Sequence, residues 1–128
     1  MSSKNSKIRV GISCGDPNGI GLEALADAFR DERTLASIVP VVFAPRVLAE
    51  RAFENIAWGE VEDASEARPG QINVLDFDAP EFTHQPGEAT QQAGAVAMES
   101  LQRAVGHLAK TAVDVLAVSY THLTLPTT

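Results

Sequence analysis

The residues best suited to chemistry lie close together near the start of the chain, in the segment Cys14-Gly15-Asp16-Pro17-Asn18-Gly19-Ile20-Gly21-Leu22-Glu23. Its glycines permit a positive φ angle and let a ligand approach the backbone closely. A helix that begins here offers unpaired N–H groups and the positive end of a dipole, which suit a phosphate or a carboxylate. Asp16 and Asn18 can orient a polar ligand by hydrogen bonds.

The segment matches neither a P-loop nor the dinucleotide pattern Gly-x-Gly-x-x-Gly. From the residues alone, two interpretations stay open. The segment is either a loop that positions a ligand or a tight turn in which Asp16 or Asn18 caps the next helix.

Other candidate residues favour structural roles. Cys14 precedes a helix start, where a thiol pKa can be lowered, but no base is evident near it, and we interpret it as a small buried residue. His84 is expected in a solvated loop and His107 on the surface of a helix. Neither shows metal-ligand spacing. We expect a solvated acidic loop at Glu60, Glu62, Asp63 and Glu66, and turn residues at Asp76 and Asp78. Trp58 is expected to pack against other side chains.

The elements that must position these residues alternate between strand and helix patterns. Period-two apolar residues predict a strand over 8–13, and apolar spacing from Leu22 to Phe29 predicts a helix. We predict further strands over 39–44, 72–77 and 113–118, the last buried on both faces, with helices over 45–52 and from Thr90 to Leu108. The ranges 57–70 and 78–89 are expected to be loops. This order predicts an α/β fold with a mainly parallel sheet and helices on both faces.

Composition excludes several classes of protein. The net charge of −7 argues against binding to nucleic acid or to an anionic membrane. No apolar run approaches the roughly 20 residues that span a bilayer. One cysteine and a polar N-terminus favour a cytoplasmic setting. We expect a disordered leader over 1–7, an α/β unit over 8–118, and a non-native tail over 119–128, where the composition changes abruptly.

The run from Gly15 to Glu23, Gly-Asp-Pro-Asn-Gly-Ile-Gly-x-Glu, follows an N-terminal strand and resembles the opening motif of the 4-hydroxythreonine-4-phosphate dehydrogenase family. Pro86-Gly87, Gly94, the helix through Ala104 and the strand 113–118 agree with this resemblance. The similarity covers residues 8–118, or about the first third of a family enzyme. It therefore identifies the chain as an N-terminal fragment.

The resemblance implies an isocitrate/isopropylmalate-dehydrogenase-like fold and a homodimer at full length. The implied reaction is the oxidation and decarboxylation of 4-phosphooxy-L-threonine in pyridoxal phosphate biosynthesis, with NAD or NADP and a divalent metal. Related members act on phosphorylated four-carbon sugar acids. The family's metal-ligand histidines and its other substrate-binding side chains lie beyond this chain, so no catalytic or metal residue is carried over and the fragment is expected to be inactive.

The resemblance carries over one loop, whose implied role is to position the cofactor or the substrate. Its residues are Gly15, Asp16, Pro17, Asn18, Gly19, Gly21 and Glu23. The sequence departs from the family at Ser119-Tyr120-Thr121, where a Thr-x-Pro loop is expected. Two further hypotheses remain: a free-standing module that binds a phosphorylated metabolite, and a structural or interaction protein without a ligand.

Overall fold

The computed structural model describes residues 7–15, 21–77 and 91–118. Five strands in these ranges form one sheet in the order β3-β4-β2-β1-β5, and every neighbouring pair is parallel. The predicted α/β fold is therefore confirmed. The elements along the chain are β1 (Ile8–Ser13), α1 (Gly21–Phe29), α2 (Glu32–Ser37), β2 (Ile38–Phe43), α3 (Arg46–Ala52), β3 (Trp58–Val61), a 3-10 turn (Ala64–Glu66), β4 (Ile72–Leu75), α4 (Gln91–Ala109) and β5 (Val115–Val118).

Helices cover both faces of the sheet. The connections from β1 to β2 and from β2 to β3 run toward one edge, and their helices pack with Ile12 and Val42 in one core cluster. The connections from β3 to β4 and from β4 to β5 run back. The 3-10 turn and α4 pack mainly with Val41, Phe43 and Leu75 on the other face. A single crossover hand produces this arrangement, as is usual for parallel sheets.

The buried face of α4 differs from the predicted one. Its buried residues are Ala93, Val96, Ala97, Ser100 and Ala104. The apolar spacing in the sequence predicts one buried stripe, made of Ala97, Leu101, Ala104, Val105 and Leu108. Ala97 and Ala104 are buried, whereas Leu101 is only partly buried and Val105 is 47% exposed. The error arises because, apart from Val96, the buried residues are small, so the larger apolar side chains do not mark the buried face. None of the described helices is long and apolar enough to cross a membrane.

Two sequence predictions of local structure are wrong, and one helix was not predicted. The predicted loop over 57–70 contains β3 and the 3-10 turn, and α2 was not foreseen. Helix α2 has no buried residue, and its N-terminus is capped by Asp31, whose side chain accepts from the Arg33 N–H. Strand β5 is an edge strand among the described residues, and Val115 is 47% exposed, so it is not buried on both faces.

Two contacts fix the centre of the sheet. An added Cβ at Gly11 would lie 3.1 Å from a methyl carbon of Val113 and 3.3 Å from the Phe43 ring, so the absence of a side chain allows close packing there. The buried Asn73 amide donates to the carbonyl oxygens of Pro40 and Arg68 at 3.0 and 2.9 Å. Buried polar groups are stabilised by such hydrogen bonds, and this amide ties β4 to β2.

Candidate functional site

The carboxyl ends of the five strands lie in one row across the sheet. The strand register places Val61 opposite Leu75, Leu75 opposite Phe43, Phe43 opposite Ser13, and Ser13 opposite Val118. Segments that leave the strands at these residues therefore start along the same edge. In open α/β sheets, ligands bind at this carboxyl edge.

The order of the strands marks one place on this edge. The chain leaves β1 toward β2 on one side, whereas β5 lies on the other side of β1. Ligands of open α/β sheets bind at the carboxyl ends of such interior strands. The segment between β1 and α1 starts at this point.

The structure describes the two ends of the predicted loop. Cys14 and Gly15 follow β1, and Gly15 has a φ of +67°, a conformation that glycine adopts without strain. Gly21 is the first residue of α1. Asp16, Asn18 and Gly19, together with Pro17, lie outside the described residues.

The first turn of α1 faces the same edge. Leu22, Ala26 and Phe29 are buried and fix the helix against the sheet. The N–H groups of a first helical turn have no partner within the helix, and the helix dipole adds partial positive charge there. Glu23 lies in this turn and is exposed, so its carboxylate partly offsets that charge. This helix start can accept an anionic group of a ligand.

The buried Ser100 forms hydrogen bonds at the point where the chain leaves β1, and the sequence analysis did not identify this residue. The Cys14 N–H donates to Ser100 Oγ at 2.9 Å, and the Ser100 hydroxyl donates to the Phe43 carbonyl oxygen. Ser100 therefore joins α4 to the carboxyl ends of β1 and β2 at the base of the Gly15–Gly21 loop. The signal in the sequence is one hydroxyl within the run of small residues on the buried face of α4.

Cys14 has the predicted structural position. It is 1% exposed and belongs to the same core cluster as Ile12 and Val42. Its thiol donates to the Gly15 carbonyl oxygen at 3.4 Å. Burial of this kind does not suit a reactive cysteine, which needs an accessible, electropositive site.

His107 is not a surface residue, which corrects the prediction. Its side chain is only 15% exposed, and its ring packs on Phe43 with centroids 5.0 Å apart. Nδ1 lies 2.9 Å from the Arg103 carbonyl oxygen, and Nε2 lies 3.7 Å from Asp63 Oδ1. The histidine joins α4 to the 3-10 turn. His84 lies outside the described residues.

The acidic candidates have structural partners. Asp76 Oδ1 accepts from the Arg46 N–H at 2.7 Å and so caps α3, in agreement with a role in the turn after β4. Asp78 lies outside the described residues. The pKa of Asp63 is held below its usual range, chiefly because the Ser65 hydroxyl and N–H donate to its carboxylate. Trp58 packs against the first core cluster, as predicted.

One groove among the described residues lies away from Gly15 and Gly21. It has a volume of about 590 Å³ and is lined by Gly59, Glu60, Val61, Glu62, Glu66, Arg68 and Gln71. Glu60 forms an ion pair with Arg46 at 3.5 Å. A second groove of about 300 Å³ lies near the end of α1 and the start of β3. Neither groove includes Gly15 or Gly21.

The described residues do not supply a metal site. Within 7–15, 21–77 and 91–118, no three His, Cys, Asp or Glu side chains are grouped so that they could hold an ion. The divalent metal implied by the resemblance therefore does not fit this part of the chain.

Comparison with known proteins supports the predicted family resemblance. No family model matches the chain. A 4-hydroxythreonine-4-phosphate dehydrogenase of Bacteroides thetaiotaomicron is 29% identical over 120 residues, which are 91% of this chain and 33% of that protein. The crystal structure of a dehydrogenase of this name from Burkholderia phymatum matches with a TM-score of 0.79 and 27% identity, over 89% of this chain and 36% of the other.

A putative 4-hydroxythreonine-4-phosphate dehydrogenase from Salmonella typhimurium matches with a TM-score of 0.75 and 28% identity. It covers 88% of this chain and 37% of the Salmonella chain. The chain thus spans about a third of the length of the relatives that it matches, which is consistent with a fragment. In sequence and in fold, it is similar to part of the 4-hydroxythreonine-4-phosphate dehydrogenases.

Proposed function

We propose that this chain is part of an NAD- or NADP-dependent dehydrogenase that oxidises 4-phosphooxy-L-threonine in pyridoxal phosphate biosynthesis. Its Gly15–Gly21 loop positions the substrate or the cofactor. The position of this loop carries the proposal: it leaves the interior strand β1, which lies between β2 and β5, at the carboxyl edge of the sheet. The similarity to dehydrogenases over about a third of their length supports it.

The chemistry divides between this chain and the rest of the protein. When bound, the nicotinamide cofactor would accept the hydride from the alcohol carbon, while the alcohol oxygen would lose a proton and the resulting β-keto acid would lose CO₂. This chain contributes the glycine turn at Gly15 and the start of α1, which bind and orient an anionic group. The groups that act on the reacting alcohol are proposed to lie in polypeptide beyond this chain, so we expect the 128-residue chain alone to be inactive.

The test compares this chain with the natural-length protein, which is the product of the gene once its sequence beyond codon 118 has been determined again. Both proteins are expressed and assayed in parallel. We expect the longer protein to reduce NAD or NADP when given 4-phosphooxy-L-threonine and a divalent metal, and the short chain to show no turnover. A preference for a phosphorylated four-carbon sugar acid would assign the substrate to the related members instead. No reduction of either cofactor with either substrate would contradict the proposal.

A loop variant tests the role of the Gly15–Gly21 segment. Asn18→Ala removes an amide that can orient the ligand, and we expect it to raise KM several-fold in the natural-length protein. Gln102→Ala is the matched control, because Gln102 is an exposed residue of α4. Identical kinetics for the two variants would remove Asn18 from the proposed site. Melting temperatures measured in parallel separate a binding defect from unfolding.

A further inference from the structure

His107 places a largely buried imidazole where α4, β2 and the 3-10 turn meet. Its ring packs on Phe43, the last residue of β2. Nε2 lies 3.7 Å from Oδ1 of Asp63, the residue whose side chain caps the 3-10 turn. The ring is therefore the group through which α4 contacts the cap of this turn.

The hydrogen bonding of the ring determines where the neutral imidazole carries its proton. Nδ1 lies 2.9 Å from the Arg103 carbonyl oxygen. A carbonyl oxygen only accepts, so Nδ1 carries the hydrogen and Nε2 has a bare lone pair. The 3.7 Å between Nε2 and Asp63 Oδ1 is too long for a hydrogen bond. In the neutral ring, two acceptor atoms therefore face each other without a hydrogen between them.

We propose that His107 and Asp63 form a pH-dependent contact that holds the 3-10 turn on α4 when the imidazole carries two protons. The second proton, bound at Nε2, gives the ring a donor toward Asp63 Oδ1 and makes the contact a charge-assisted hydrogen bond. Loss of that proton restores the two facing acceptors and releases the turn. Histidine is the side chain that ordinarily changes charge between about pH 5 and 8, so the contact forms in mildly acidic solution.

Asp63 is the acidic partner of the imidazole. Among the residues that the structure describes, no other carboxylate oxygen lies within 4 Å of a ring nitrogen of His107. The pKa of Asp63 is held below its usual range, chiefly by the Ser65 donors and to a smaller degree by the positive charges of His107 and Lys110. Asp63 therefore keeps its negative charge throughout the range in which the histidine titrates.

The other charged side chains around the contact do not account for a response in this range. Lys110 is a second cation near the carboxylate, but lysine ordinarily keeps its charge up to about pH 10. Arg103 pairs with Glu99 at 2.7 Å on α4. In the turn, the Glu66 carboxylate accepts from the Glu62 N–H at 3.3 Å, and β2 contributes only an aromatic ring.

The contact affects one wall of the groove beside β3. Glu62 and Glu66 lie next to and within the 3-10 turn, and both line this groove of about 590 Å³. A turn that is held on α4 therefore fixes this wall of the groove in mildly acidic solution. The inference goes beyond the proposed function and assumes nothing about the dehydrogenase reaction.

Amide hydrogen exchange at about pH 5.5 and about pH 8, corrected for the intrinsic rate at each pH, tests the contact in the present chain. The N–H groups of Glu66 and Ala67 donate to the carbonyl oxygens of Asp63 and Ala64, so their exchange reports opening of the turn. We expect their protection to be about threefold greater at the lower pH, since a partly exposed ion pair stabilises only modestly. Equal protection at the two pH values would overturn the inference.

Three variants assign the effect to the pair. His107→Gln removes the titrating ring, and Asp63→Asn removes the charge but keeps an oxygen that can cap the turn. We expect neither variant to show the threefold difference. His84→Gln is the matched control, because it makes the same substitution at another histidine, and it should retain the difference. A difference that persists in His107→Gln or in Asp63→Asn, or that disappears in His84→Gln, would overturn the inference.

Discussion

Replacement of Ser100 by alanine is the sharpest test of how the loop is supported. The change removes the acceptor of the Cys14 N–H and the donor to the Phe43 carbonyl, in a side chain that is completely buried. Loss of the partner of one buried polar group costs about 1–3 kcal/mol. A carbonyl has two lone pairs and tolerates the loss better than an N–H. We therefore expect Ser100→Ala to lower the free energy of unfolding by about 2 kcal/mol.

Urea unfolding followed by circular dichroism measures this free energy, and Ser37→Ala is the matched control. Ser37 is an exposed serine whose hydroxyl donates to the Arg33 carbonyl oxygen within α2, and such surface changes usually stay within about 0.5 kcal/mol. Amide exchange at Cys14 and Gly15 should accelerate by about thirtyfold in Ser100→Ala, since each 1.4 kcal/mol is a factor of about ten. A Ser100→Ala protein as stable as Ser37→Ala would refute the supporting role of Ser100.

Three further predictions concern the fold. Gly11→Ala should destabilise the protein by about 1–3 kcal/mol through overpacking. Gly106→Ala adds a Cβ that meets no neighbour within 4 Å, so it should stabilise α4 by about 0.5–1 kcal/mol. A higher urea midpoint for Gly11→Ala than for Gly106→Ala would contradict this. Asp76→Ala removes the cap on the Arg46 N–H and should cost about 0.5–2 kcal/mol in thermal melts, and an unchanged melting temperature would exclude the cap. Because the pKa of Asp63 is lowered in the folded state, its stabilising contribution is present at neutral pH and is lost as the pH falls below about 4; Asp63→Asn should therefore show a smaller decrease in urea midpoint on acidification, and an unchanged decrease would refute this.

The sequence predicted the fold where the apolar pattern was strong. The alternation of Ile8, Val10 and Ile12 identified β1, and the spacing from Leu22 to Phe29 identified α1. Strand β3 was missed because it is a four-residue edge strand with Glu60 exposed, so its apolar pattern is too short to detect. Helix α2 was missed because it buries no residue and is stabilised by its cap.

The sequence predicted where the candidate site lies, but it did not predict which distant residues hold its elements together. The glycines at 15 and 21 indicated a bend between a strand and a helix, and these two residues lie there. The roles of Ser100 and His107 depend on contacts between residues far apart in sequence, such as the 86 positions between Cys14 and Ser100. Local periodicity carries no information about such contacts, so only the fold could show them.

The reading frame beyond codon 118 of the natural gene tests most directly whether this chain is part of a longer dehydrogenase. We predict that a newly determined gene sequence has an open reading frame that continues for about twice the length of the present chain, as the coverage of the relatives implies. We also predict that this continuation encodes the histidines expected to bind the metal. A gene that ends at codon 128, with a product that is monomeric and stable, would contradict this conclusion.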